Sequence, residues 1–203
     1  MLATTGYSSA IIRQLALLIP NEEIMRIDYG SYQHYMACAD RFVLCAGLMI
    51  PRRGIAQAAQ EITNSMRVNY LFPITVCDEI LKSNSKARIC VVGSESGITG
   101  SYDDVYAAAK AAVHAYVERK RLSYPDQQLV AIAPSIIEDC GMTLRRQDRE
   151  NLEFRRTSHP KQRFLKAQEV ARLIHFLLYV DAGYISGVTV RMNGGAHISS
   201  SNN

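Results

Sequence analysis

Short apolar or β-branched runs alternate with longer segments of helical period along this chain, the pattern of βαβ units wound around a parallel sheet. The runs that read as strands are Met1–Thr5, Ile24–Asp28, Phe42–Cys45, Ala87–Val92, Gln128–Ile132 and Val188–Met192. Between them apolar residues recur at helical spacing. Val105, Ala109, Ala112, Val113, Tyr116 and Val117 form one stripe over Val105–Arg121, and Val170, Leu173, Ile174, Leu177 and Leu178 form another over Ala167–Tyr179. Each stripe needs an apolar surface to cover it, and a sheet supplies one. An α/β domain with a mostly parallel sheet is therefore expected.

At 203 residues the chain is long enough for one substantial core, and no repeat or Pro/Gly-rich linker divides it. One domain over residues 1–203 is expected, ending in a polar tail, Ser199–Asn203. The long irregular stretch is Pro134–Pro160, charged and placed after a predicted strand. Ligands of open α/β sheets bind beyond the C-terminal strand ends, so residues 134–160 form a candidate lid; a solvated insertion is the alternative.

Charge and cysteine usage exclude several classes. The net charge of +4 is modest and concentrated, since Leu144–Lys166 holds eight Lys/Arg against three Asp/Glu, so no nucleic-acid partner is expected. Five cysteines without CxxC spacing suggest neither a disulfide framework nor zinc, and a cytoplasmic location fits them. Cys45 and Cys90, on predicted inner strands, read as small buried apolar residues. The five histidines lack ligand spacing, so no metal is expected. Apolar stretches such as Ile11–Ile19 are broken by Arg13 and Gln14 and fall short of the roughly 20 residues a membrane span requires. No basic segment precedes an apolar run at the N-terminus, so neither a secretory signal nor a membrane partner is expected.

The string that carries chemistry is Tyr106-Ala107-Ala108-Ala109-Lys110, preceded by Ser94 in Val91-Val92-Gly93-Ser94. Positions i and i+4 share a helix face, so Tyr106 and Lys110 address the same space. An ammonium near a phenol favours the phenolate, which would let Tyr106 exchange a proton with a substrate alcohol near neutral pH. An amphipathic surface pair is the bland alternative.

Further stretches fall into register with these residues: Thr5-Gly6-Tyr7-Ser8-Ser9-Ala10-Ile11, Leu44-Cys45-Ala46-Gly47, Asn69, Ala133-Pro134-Ser135, Tyr184-Ile185-Ser186-Gly187-Val188 and Asn193-Gly194-Gly195. With them the chain resembles the short-chain dehydrogenase/reductase family along nearly its whole length. The resemblance implies a Rossmann-like three-layer sandwich and hydride transfer between a nicotinamide cofactor and a small hydroxyl or carbonyl substrate. It implies that Tyr106 is the general acid–base and that Lys110 lowers its pKa while binding the nicotinamide ribose. Ser94 would bond the substrate oxygen, although it lies twelve residues before Tyr106 where thirteen is usual, and Ser96 is the nearby alternative. Asn69 would hold a water linking Lys110 to solvent, or else bond buried backbone groups. Gly6, Ser8, Ser9, Asp28, Ala46, Gly47 and Pro134 would complete the cofactor site. A homodimer or homotetramer is also implied.

Departures from the family pattern cluster at the cofactor end. Ala10 and Ile12 stand where the second and third glycines belong, and a branched Ile12 predicts a displaced helix or an occluded phosphate site. Only about 35 residues separate Gly6 from the strand at Phe42, so one β-α unit is expected to be missing on the adenosine side. Ile24–Asp28 would be either the family's second strand, with Asp28 on the adenosine ribose, or its third. Asp28 follows Gly6 by twenty-two residues, near the spacing of about 20 for a ribose acid. On that reading NAD is preferred over NADP, with Arg26 placed on the opposite strand face. Leu44 and Cys45 replace hydrogen-bonding asparagines, Ser135 replaces a glycine, and Glu138-Asp139 replaces a threonine beside the nicotinamide. These losses leave a second reading open, a catalytically silent binding or assembly module with weak or no cofactor binding.

Overall fold

The computed structural model describes residues 1–28, 38–50 and 56–196. Its sheet has six strands: β1 Leu2–Thr5, β2 Ile24–Arg26, β3 Arg41–Leu44, β4 Arg88–Val92, β5 Gln128–Pro134 and β6 Thr189–Met192. They run in the order β2-β1-β3-β4-β5-β6, with all neighbouring pairs parallel. The third strand crosses back to the other side of β1 from β2. That reversal leaves a crevice beyond the strand ends where adjacent connections diverge.

Alternation along the strands sorts the core into two layers. Leu2, Val43, Cys90, Val130 and Ile132 face α1 (Ala10–Leu18) and the long helix Ala167–Tyr179. Ala3, Phe42, Leu44, Ile89, Val91, Leu129 and Ala131 face the opposite helices. These are α2 (Ala59–Met66), a π turn Arg67–Leu71 continuing into α3 (Phe72–Ser83), and, after the short α4 (Ser96–Thr99), α5 (Asp104–Arg119). Register makes each layer continuous, since Phe42 pairs with Ile89 and Ile89 with Leu129, while Val43, Cys90 and Val130 align likewise on the other face. With both faces covered, apolar residues run consecutively along the inner strands. The segment after β5 forms α6 (Gly141–Leu144) and α7 (Arg149–Thr157), followed by α8 (Ala167–Tyr179).

Two sequence expectations are settled by the pairing. The strand starting at Ile24 lies beside β1, Thr4 opposite Arg26, so it takes the second-strand position. It ends at Arg26, short of Asp28, and among the described residues no strand lies beyond it. The expected polar tail lies outside the described residues. Among those described, no helix is long and apolar enough to cross a membrane, and no cluster of His, Cys, Asp and Glu could hold a metal.

Ile12 corrects part of an expectation. It does not block the crevice, because it is 2% exposed and packs into the core cluster that also holds Leu2, Val43 and Ile174. The position therefore acts through packing between helix and sheet. Ile12→Ala is expected to lower stability by about 2–5 kcal/mol, as a large-to-small core change does; urea unfolding measures it, and a loss below about 1 kcal/mol would contradict this packing role.

Candidate active site

The C-terminal strand ends open into a cavity of about 1090 Å³ between the β1–α1 turn, the loops after β3 and β4, and the segment following β5. Gly6 turns the chain out of β1 with φ +67. A Cβ there would lie 2.8 Å from the Cys45 carbonyl carbon and 2.9 Å from the Ala46 nitrogen. Only glycine lets this turn approach the β3 loop so closely. Ser9 Oγ accepts the Ile12 N–H at 3.2 Å, capping α1. Ser8, Ser9, Ala10 and Ile11 line the cavity, so the N-terminus of α1 faces it. Ala46 and Gly47 form another part of the wall, held by the Ala46 N–H on Thr5 Oγ1 at 3.0 Å.

Tyr106 and Lys110 lie one turn apart on α5, and both line the cavity. Asp103 sets the start of that helix: its Oδ1 accepts the Tyr106 N–H at 3.0 Å, while Oδ2 accepts the Ile50 N–H at 2.9 Å. The Lys110 Nζ donates to the Val92 carbonyl at 2.8 Å and stands 5.8 Å from the centre of the Tyr106 ring. Burial pushes the Lys110 ammonium down to about 8. Burial also pushes the Tyr106 phenol up to about 12, against a lowering by the nearby Ser94 hydroxyl. The expected lowering by Lys110 is thus reversed. Desolvation outweighs it, and the ammonium is held on a backbone carbonyl. Of the two candidate serines, Ser94 is the one whose hydroxyl acts on the phenol's ionisation, and both line the cavity. Its Oγ also accepts the Ser96 N–H at 3.1 Å.

Other expected residues are placed differently. Pro134 ends β5 on the cavity wall, but Asn69 is fully buried away from it. Asn69 Nδ2 donates to the Leu48 carbonyl at 2.6 Å and to Ser65 Oγ at 3.1 Å, and Oδ1 accepts the Leu48 N–H at 2.9 Å. From its π turn it braces the loop after β3, which is the backbone-bonding alternative. Asp28 is exposed, is not among the lining residues, and accepts from Arg26 Nε at 2.8 Å. Arg26 is therefore not on the opposite face, because residues two apart on an extended segment share one side. Asp139 lines the cavity but caps α8 by accepting the Ala167 N–H at 2.8 Å, and Glu138 is exposed.

Several residues at the site escaped the sequence reading. Glu95, 9% exposed, forms an ion pair with Arg191 and accepts from Asn193 Nδ2 at 3.0 Å, tying the Ser94 loop to the end of β6. His114 Nε2 accepts the Ser94 N–H at 3.4 Å. The only sequence signal for it was its phase, one turn beyond Lys110. Cys45 belongs to the cavity wall, with its Sγ 3.4 Å from Ser9 Oγ, rather than being a sealed core residue like Cys90. At the mouth, α6 and α7 contribute Arg145 and Arg155, together with Leu144 and Phe154, exposed by 61% and 69%.

Residues 31–197 match a family model described as enoyl-(acyl carrier protein) reductase. A 3-oxoacyl-[acyl-carrier-protein] reductase FabG of Pseudomonas aeruginosa is 32% identical over 130 residues, covering 59% of this chain and half of that protein's length. A FabG of Haemophilus influenzae is 29% identical over 203 residues, covering 97% of this chain and 83% of the relative. Among solved structures, a variant of ElxO with NADPH bound superposes with a TM-score of 0.82 at 19% identity, covering 97% of this chain and 98% of the other. The parallel sheet, the Gly6 turn beside Ala46-Gly47, the helix bearing Tyr106 and Lys110, and the family match across residues 31–197 together make this chain a member of the short-chain dehydrogenase/reductase family.

Proposed function

We propose that this chain is a nicotinamide-dependent oxidoreductase that reduces a small carbonyl compound and, in reverse, oxidises the alcohol. The observation that carries this reading is the convergence of Ser94, Tyr106 and Lys110 on the wall of one cavity. The residues present fit a dinucleotide: the Gly6 turn removes a Cβ where backbone segments meet, and the Ser9-capped N-terminus of α1 opens onto the same space. Backbone N–H groups and the helix dipole favour phosphate there. Gly6, Ser8 and Ser9 would hold the pyrophosphate, Ala46 and Gly47 would back the adjoining ribose, and Pro134 would flank the nicotinamide. When bound, the cofactor supplies the hydride that reaches the carbonyl carbon.

The protein's own residues supply the rest. Ser94 Oγ donates to the carbonyl oxygen and fixes its position, while Tyr106, protonated throughout the neutral range, delivers the proton that oxygen takes up. The buried Lys110 charge binds the ribose hydroxyls and favours negative charge developing on that oxygen. In the oxidation direction Tyr106 must first lose its proton to accept the one the alcohol gives up.

NADP is the cofactor we favour. The preference for NAD depended on an unpaired Asp28, whereas Arg26 holds that carboxylate and presents a guanidinium beside it. The ElxO variant is seen with NADPH, in line with this choice. For the substrate, the mouth combines Leu144 and Phe154 with Arg145 and Arg155, which suits an acyl chain attached to an anionic carrier. Two relatives are named 3-oxoacyl-[acyl-carrier-protein] reductases, which supports that class. We further propose that α6 and α7, within residues 134–160, act as a lid over the substrate. The silent-module reading loses one support, because Ile12 lies in the core and does not occlude the crevice.

Three outcomes test this reading. Tyr106→Phe is expected to lower kcat for NADPH-dependent reduction of acetoacetyl-CoA by about 10²–10⁴-fold with unchanged circular dichroism; a variant retaining more than about a tenth of the rate rejects the acid role. Lys110 is charged below its pKa of about 8 and neutral above it, so the NADPH dissociation constant from calorimetry should rise as pH passes through that value. Lys110→Met should bind weakly at every pH, and an unaltered pH profile in that variant would remove Lys110 from the site. Reversing charge in Arg145→Glu/Arg155→Glu should raise KM for acetoacetyl-CoA about tenfold at low salt while sparing ethyl acetoacetate. Equal effects on both substrates would refute an anion contact at the mouth.

A further inference from the structure

His114 follows Lys110 by one turn of α5, so Tyr106, Lys110 and His114 descend a single helix face. It is 6% exposed, and the chemistry described above gives it no task. Its ring occupies space that two glycines leave open. A Cβ on Gly93 would lie 2.1 Å from His114 Nε2, and one on Gly97 would lie 3.0 Å from His114 Cε1 and 2.7 Å from the Ala111 nitrogen. The imidazole is therefore wedged between the end of β4 and the first turn of α4, on either side of Ser94.

The backbone there explains what the ring does. The Gly93 N–H donates to the Ile132 carbonyl at 2.8 Å and the Glu95 N–H to the Pro134 carbonyl at 2.9 Å, so alternate amides of this extended segment serve β5. The Ser94 amide between them faces the other way, and β3, the neighbour on that side, has ended with Leu44 opposite Val91. Among the described residues no strand carbonyl continues there to receive it. His114 Nε2 takes the strand's place, accepting that N–H at 3.4 Å. An imidazole accepts only when neutral; burial first, and the Lys110 charge second, push His114 down to about 4, so the acceptor persists through the neutral range.

We propose that His114 is a positioning residue for Ser94: by substituting for the missing strand partner it fixes the Ser94 backbone, and with it the hydroxyl on the cavity wall that Tyr106 shares. The proposal rests on the roles given above to Ser94 and Tyr106. Its backbone part stands apart from turnover and can be measured separately.

His114→Leu removes the acceptor while keeping an apolar volume, and His114→Gln places an amide oxygen at about the reach of the lost nitrogen. In the full chain, Ser94 amide exchange by NMR should quicken about tenfold relative to Gly93 and Glu95 in the leucine variant and recover in the glutamine variant. Over the same pair, kcat for NADPH-dependent reduction of acetoacetyl-CoA should fall about tenfold or more and then return to within about threefold of wild type. The NADPH dissociation constant should move by less than about twofold in both. If His114→Leu does not fold, His114→Asn, whose side chain is too short to reach, is read in its place. Unchanged Ser94 exchange overturns the proposal, as does faster exchange with unchanged kcat, or a loss that glutamine does not restore. Should Tyr106→Phe retain the wild-type rate, the assigned chemistry fails instead, and Ser94 exchange alone then decides whether His114 holds this segment.

Discussion

The site depends on one buried charge. Lys110 is 4% exposed, yet its ammonium is retained at the end of β4 by the Val92 carbonyl. Removing a cation from water costs several kcal/mol after relaxation, and one carbonyl returns only part of that. The depressed pKa records the remainder. The contact nevertheless ties α5 to the sheet at the strand end where the cavity opens, and it sets Tyr106 one turn away on the same wall. Asp103 secures the same helix from its N-terminus by joining the Tyr106 amide, the Ile50 amide and Gln57. The helix is thus pinned at both levels that matter to the chemistry.

Most of the fold was legible because strand and helix periods differ so clearly along the chain. Runs such as Arg88–Val92 and Gln128–Pro134 are buried on both faces, which is why they read as nearly unbroken apolar segments. Two errors share a cause, the inference of a side chain's neighbours from sequence position alone. Ile12 was expected to displace α1 or to occlude the phosphates because glycine usually stands there, and the second does not occur; whether it faces ligand or core depends on how α1 settles against α8, which no local pattern records. Arg26 was set opposite Asp28, although alternation places residues two apart on one side, and their ion pair follows from that geometry.

Within the site, legibility followed sequence distance. Tyr106 and Lys110 are four residues apart, so helical spacing alone joins them, and their shared cavity wall matches that reading. Ser94 sits close enough for family register to find it. Glu95, Arg191 and Asn193 meet across nearly a hundred residues, and nothing in their local sequences marks them as partners. Asn69 shows the opposite limit. Its register was recognisable, but its side-chain contacts with Leu48 and Ser65, which brace the loop after β3, are not recorded in register.

Desolvation moves Tyr106 and Lys110 in opposite directions, each toward its neutral form. The common picture of a lysine that creates a tyrosinate requires the ammonium's attraction to exceed the cost of burying both charges. Here the phenol stays protonated, and the lysine's pKa is pushed down to about 8. A ligand that brings negative charge into the cavity would favour the lysine's charged form and oppose ionisation of the phenol. In the proposed acid–base pair the protein contributes position through α5 and the Ser94 loop, and the occupant's own charge would set how readily the proton leaves.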